Sequence, residues 1–225
     1  MHRRDITRTL SVAALAGLLP GYARALSEAD AASGVRQALK RGAEAALSRL
    51  GRQDGFMANP NVRIPLPGHL DSAAKMMRRF GQGKHVDELI AAMNHAAEAA
   101  MPEARALLVD TVSQLSVEDG LSIVRGGDKA ATEFFSRKTR APLGEKFLPI
   151  ITTATERVSL AEKYNAVAGK ASQMGILKQD DASIQHYVTR KALDGLYFVI
   201  GEEEAKIRRD PMAAGSALLK AVFAR

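Results

Sequence analysis

The sequence predicts an all-α protein, a compact multi-helix bundle of about eight to ten helices with no significant β-sheet. Three observations predict it. Apolar residues recur at i, i+3, i+4 and i+7 along nearly the whole chain after residue 26. The breaks between these stretches are short and rich in glycine and proline, as between antiparallel neighbours. The β-branched run Ile150-Ile151-Thr152-Thr153 is the one serious strand candidate, and no nearby segment offers it a partner, so it reads as helix.

The elements follow in order. Ser27 and Asp30 make a capping box ahead of a long helix to about Leu50, with an apolar stripe through Val35, Leu39, Ala43, Ala46 and Leu47. Gly51 and Gly55 punctuate its end. Residues 56–67 carry Pro60, Pro65 and Pro67, which deny the backbone donors a helix needs. They read as an extended connector resting on the core through Val62, Ile64 and Leu66. A helix over 68–80 stops near Gly81 and Gly83. The next has the clearest pattern, Val86, Leu89, Ile90, Met93, Ala97, Ala100 and Met101, and Pro102 reads as the first turn of a new helix. Ser116 and Asp119 predict the cap of a short helix, and Gly126-Gly127-Asp128 separates it from a helix over 129–139. A helix over about 143–157 contains Pro149, which predicts a kink or restart. A helix over 159–173 follows. Asp180-Asp181 then begins a long helix to Arg209, whose apolar centre LDGLYFVI marks it as central and buried. Pro211 precedes a last helix, 212–223.

Composition narrows the function. Hydrophobic residues make up 46% of the 225, enough for a real core without disulfides. The absence of cysteine excludes thiol catalysis, thiolate metal sites and cysteine-linked lipid. The formal charge is +7, but residues 1–25 hold four basic residues and one acid, leaving 28 basic and 24 acidic residues for the remainder. That balance reads as a mixed solvated surface, with no nucleic-acid partner.

Residues 1–25 read as a cleavable export signal, and 26–225 as a single helical domain. His2-Arg3-Arg4 opens a basic region, Leu10 to Leu19 is an apolar run too short to cross a bilayer, and Ala23-Arg24-Ala25 is an A-x-A cleavage site. Arg3-Arg4-Asp5-Ile6 resembles the twin-arginine signature, and Arg24 disfavours the general secretory route, which stays the alternative. The expectation is a periplasmic protein, with no transmembrane span in the mature chain.

Four segments together carry a resemblance: DGFMANPNVRIPLP at 54–67, GGDKAATEFFSRKT at 126–139, KALDGLYFVIGEEEAKIR at 191–208 and DPMAAGSALLKAVF at 210–223. In this order, over roughly residues 30–224, they resemble domain-of-unknown-function family 4197, exported bacterial proteins. The resemblance implies an all-helical envelope protein. It implies no activity and no site residues.

Short motifs that could carry chemistry are each better read as structure. In Gly126-Gly127-Asp128, Asp128 occupies the free amides of the following helix and repels phosphate. Ser72-Ala73-Ala74-Lys75 matches S-x-x-K without the companion S-D-N and K-T-G. His95 and Glu98 share a helix face, but in the reverse of the Glu-x-x-His order and without a second copy; His69, His85 and His186 show no ligand spacing. Glu202–Lys206 and Glu204–Arg208 read as i, i+4 pairs on a solvated helix end. No metal site and no cofactor follows.

Residues 70–84 stand out. Leu70, Ala73, Met77 and Phe80 form one face, with Lys75, Arg78, Arg79 and Lys84 beside it, the pattern of a helix on an anionic membrane or acidic partner. The bland reading is a core-packed helix with a basic solvent face. Lys75, Met76, Met77, Arg78, Arg79, Phe80 and Lys84 are therefore the surface candidates. Phe134, Phe135, Tyr187, Tyr197 and Phe198, with Met76, Met77, Met93 and Met101, line either an apolar pocket or simple core.

The leading expectation is a non-enzymatic periplasmic binding protein, for an apolar or amphipathic ligand between helices or for an anionic lipid surface. An envelope scaffold acting through protein contacts is the second. An enzyme of unrecognised type is the third, with His95, Glu98, Arg125, Asp128 and Lys138 as the polar residues to inspect.

Overall fold

The computed structural model describes residues 28–156, 158, 160–165, 173 and 183–210. It contains α1 (Glu28–Leu50), a 3-10 turn (Gly68–Leu70), α2 (Asp71–Arg79), α3 (Gly83–Ser113), α4 (Val117–Arg125), α5 (Ala130–Thr155) and α6 (Ile184–Arg209). The described residues include no strand, and Ile150–Thr153 is helical as expected. The predicted cap at Ser27, the predicted helix start at Asp180-Asp181, the export signal and the helix 212–223 lie outside them, as does most of the helix over 159–173, of which residues 160–165 are helical.

Among the described residues the helices are fewer than eight, and two predicted breaks are absent. Pro102 lies inside α3, which runs 31 residues without interruption, and Pro142 and Pro149 lie inside the 26-residue α5. Each proline removes one backbone donor. The buried stripe nevertheless continues across it: Met93, Ala97, Ala100, Ala104, Leu108 and Val112 on α3, and Phe135, Thr139, Leu143, Phe147, Ile151 and Thr155 on α5. Burial on both sides of the proline outweighs the lost bond, since each large apolar side chain among these contributes about 1.5–3 kcal/mol when taken from water.

Four long helices form the core. α3 packs against α5, α5 against α6, α6 against α1 and α1 against α3, closing a ring. Neighbours run antiparallel. Arg36 of α1 donates to the Leu115 carbonyl beyond the end of α3, whereas Gly51, after α1, faces Met101. Arg49 near the end of α1 pairs with Glu202, while Gly42 faces Glu203 and Ile207. Thr132, Thr139 and Arg140 of α5 meet Glu204, Tyr197 and Asp194 of α6 in descending order. α4 lies on α1, where Gly120 lets the backbones approach: a Cβ there would stand 3.1 Å from Ala32. Its predicted cap is present, with Ser116 Oγ accepting from the Asp119 amide and the Asp119 carboxylate accepting from Ser116. The Ser116 hydroxyl and amide, both donating to the Asp119 carboxylate, hold it below its ordinary range.

The proline-rich connector rests on the core as predicted, with Val62, Ile64 and Leu66 buried, but it is extended only from Arg63 on, its first part being hydrogen-bonded turns such as Asn59 to Phe56 and Val62 to Asn59. Phe56 anchors its start. Its ring fills the space over Gly195 of α6, where a Cβ would come within 2.7 Å of Phe56 Cε1. Exchanging a helix-interior glycine for alanine ordinarily gains about 1 kcal/mol. Gly195→Ala is expected instead to lose about 1–3 kcal/mol through overpacking. Thermal unfolding checks it: a midpoint lowered by several degrees is expected, and a raised one would show that Phe56 yields at no cost.

Candidate functional site

α2 packs on the 3-10 turn and on α3, and none of its residues is buried. Leu70, Ala74 and Met77 rest against the core. Its C-terminus closes with the Gln82 amide donating to the Met77 carbonyl, a reversal that requires the left-handed backbone of Gly81 at φ 74°. α3 then returns beneath α2, and Arg78 bonds Asp87 through both terminal nitrogens. The guanidinium keeps the Asp87 carboxyl below its usual range.

The expected face is therefore corrected. Ala73 and Phe80 do not join Leu70 and Met77 against the core; they are exposed. Phe80 is 77% exposed at the tip of the turn and Met76, one turn earlier, is 60% exposed. The inner face still packs on the core through Leu70, Ala74 and Met77, each partly buried. Lys75 and Arg79 flank the pair and form no ion pair among the described residues. Lys84 lies 3.7 Å from Glu88, both largely exposed. Six of the seven surface candidates thus sit on α2 and its turn, with Met77 turned inward and Arg78 engaged by Asp87, while Lys84 lies in the first turn of α3.

The five polar candidates do not share a cleft. Arg125, Asp128 and Lys138 are exposed, and His95 is exposed beside Asp54, at 3.4 Å. Glu98 alone of the five is buried, at 6% exposure, and its partners are backbone. Its carboxylate accepts the amides of Asp54, Phe56 and Met57 at 3.2, 3.0 and 3.3 Å. One turn away, Asn94 accepts the Ile64 amide at 2.8 Å and donates to the Ile64 carbonyl at 2.9 Å. Together with Tyr187, which donates to the Pro65 carbonyl, these side chains fix the connector that sequence reading assigned to apolar contacts alone.

Asp128 is also corrected. It does not cap α5, whose N-terminal position is Lys129 without a side-chain cap. Glu204 of α6 supplies the carboxylate instead. It accepts the Ala131 and Thr132 amides at 3.0 and 2.9 Å and the Thr132 hydroxyl at 2.7 Å. Arg208 bonds the same carboxylate and the Ile123 carbonyl. The Glu204–Arg208 pair forms as the spacing predicts, but it is buried, with Glu204 6% exposed, and not a solvated helix end. Glu202 pairs with Arg49 and Lys206 with Glu203, in place of the expected Glu202–Lys206 pair. The spacing was readable; the distant amides that draw Glu204 inward were not.

Most of the aromatic and methionine set is core. Phe134, Phe135, Met93, Met101, Tyr187 and Tyr197 are buried, whereas Phe198 is exposed. Burial pushes the Tyr197 phenol up, against its bond to Thr139 and the charge of Arg140. A space lined by Val35, Leu39, Phe135, Ile200 and Glu204 measures about 20 Å³, room for about one water. Among the described residues no three His, Asp or Glu side chains gather as a metal-ligand group. No described helix is long and apolar enough to cross a membrane.

No curated protein and no solved structure matches the chain significantly. A family model does, over residues 25–224, spanning the connector, the α4–α5 turn and α6 alike: the chain belongs to the family described as "Protein of unknown function (DUF4197)".

Proposed function

We propose that this chain is a non-enzymatic binding protein of the periplasm that docks on an anionic membrane surface through α2 and the turn after it. One observation carries the reading: Met76 and Phe80 stand in solvent on a helix with no buried residue, between cations. An exposed apolar pair flanked by lysine and arginine is the chemistry of an interfacial helix. Lys75 and Arg79 supply the charge, each about 1 kcal/mol near an anionic leaflet. Arg78 serves differently, because its pairing with Asp87 braces α2 on α3. Residues 1–25, with their basic start, short apolar run and A-x-A site, support export, and the Arg3-Arg4 pair supports the twin-arginine route.

Sedimentation with vesicles tests it. The protein is expected to pellet with phosphatidylglycerol vesicles, to stay in solution with phosphatidylcholine vesicles, and to lose binding as salt rises. Lys75→Ser with Arg79→Ser is expected to weaken binding about 30-fold, the equivalent of 2 kcal/mol. Met76→Asp with Phe80→Asp is expected to abolish it, and should leave the melting temperature unchanged because both side chains are exposed. Equal partition onto both vesicle types, or none onto either, would exclude docking on an anionic surface.

A further inference from the structure

Gly120 and Ile123 of α4 are buried, and Gly120 faces Ala32 of α1. At about 100° per residue, the side of the helix away from these two carries Val117, Leu121 and Arg125. Val117, Glu118, Leu121, Ser122, Arg125 and Gly126 line an open groove there. Val117 is 37% exposed and Leu121 is half-buried. Two branched apolar side chains one turn apart on an open face gain by being covered.

The chain itself supplies a cover that begins beside this strip. Arg208 of α6 donates to the Ile123 carbonyl at 2.9 Å, so the end of α6 lies against the end of α4. α6 stops at Arg209. Asp210 leaves the helical region at φ −137° and ψ 79°, and Pro211 follows it, so the backbone turns here instead of running on along the axis of α6. Residues 211–225 lie beyond this point and outside the described ones. Their sequence has one apolar face: Leu218 and Leu219 recur as Val222 and Phe223 four residues later, with Met212 ahead of them. The family model runs through residue 224 and leaves out residues 1–24, so this tail belongs to the shared domain and the export segment does not.

Length and charge fit as well. A helix over 212–223 is about 18 Å long, against about 14 Å for the nine residues of α4. Entering beside Arg125 and running back antiparallel, it comes level with Val117 and Glu118 after about eight residues, at Leu219 and Lys220. Lys220 is the one charged residue of 211–224, and Glu118 is the one carboxylate among the described lining residues.

We propose that the C-terminal segment 211–225 folds back over α4 as an antiparallel helix, with Leu219 and Val222 on the Val117–Leu121 strip and Lys220 toward Glu118. The bundle is thereby closed at the end opposite α2, because α2 packs at the start of the 31-residue α3 and α4 follows its end. Docking of α2 on vesicles is a separate matter, and the two proposals fail independently.

The chain has no cysteine, so introduced pairs read proximity directly. In the full chain, Val117→Cys is combined in turn with Leu219→Cys, Val222→Cys or Ala221→Cys, the last on the opposite side of a helix. Mild oxidation is expected to close an intramolecular disulfide with Leu219→Cys or Val222→Cys, and not with Ala221→Cys. Tryptic cleavage after Lys220 under native conditions gives a second readout without cysteines. Val117→Asp places a charge on the strip, at a first-turn position where a helix tolerates an acid. It is expected to speed that cleavage about tenfold, as the docked fraction of the tail falls. Closure by neither pair, equal closure by all three, or tail cleavage unmoved by Val117→Asp would overturn the docking. Disulfides formed only between chains would also overturn it, and would give the face to a second copy.

Discussion

Glu204→Ala is expected to cost about 3–5 kcal/mol of folding stability, the range for removing one partner of a buried charge pair. Glu204 stands on α6, yet its carboxylate serves the start of α5, accepting two backbone amides and a hydroxyl there. Helix N-terminal amides have no partner within their own helix, and α5 has no side-chain cap of its own. Truncation orphans these donors and takes the carboxylate away from Arg208, a largely buried guanidinium. Glu204→Gln keeps the shape but turns an amide NH2 toward donors, so most of the loss is expected to remain. Urea unfolding measures both variants: the midpoint should fall while the slope stays constant. An alanine variant within about 1 kcal/mol of the parent would show that water caps α5 equally well.

Glu98→Ala is expected to cost about 3 kcal/mol, because three connector amides lose a charged acceptor at once. Its effect is also local. Asp54 sits at φ 58°, a backbone conformation unfavourable for a residue with a side chain, and the Glu98 carboxylate bonds the amide of that residue. Without it the segment holding Phe56 over Gly195 loosens. Limited trypsin digestion reads this directly, since Arg52 and Arg63 are exposed on either side. Cleavage at both is expected to accelerate in the variant under native conditions. A stability loss with unchanged cleavage would mean that the connector is held by its apolar anchors and Asn94 alone.

Helical periodicity made the architecture legible, from the stripe Val35–Leu50 to the buried centre of α6. Proline was over-read. A break at Pro102 follows from local rules, and only the buried face running past it shows why α3 continues. The surface candidate was legible as a segment but not as a face, since the spacing of Leu70, Ala73, Met77 and Phe80 cannot reveal that α2 buries none of its residues. Glu98 and Glu204 were visible as acids and opaque as struts. Their partners are amides 41 to 73 residues away, and an amide leaves no mark in the residue code.

The amides bonded to these two carboxylates have a further consequence. Phe56, Ala131 and Thr132 owe their protection to side chains of other helices and not to a ladder within their own segment. In deuterium exchange they become reporters of whole-helix separation. Phe56 can exchange only when α3 lets go of the connector, and the α5 pair only when α6 withdraws. If the bundle opens as one body, all three should exchange at the rate of the slowest core amides.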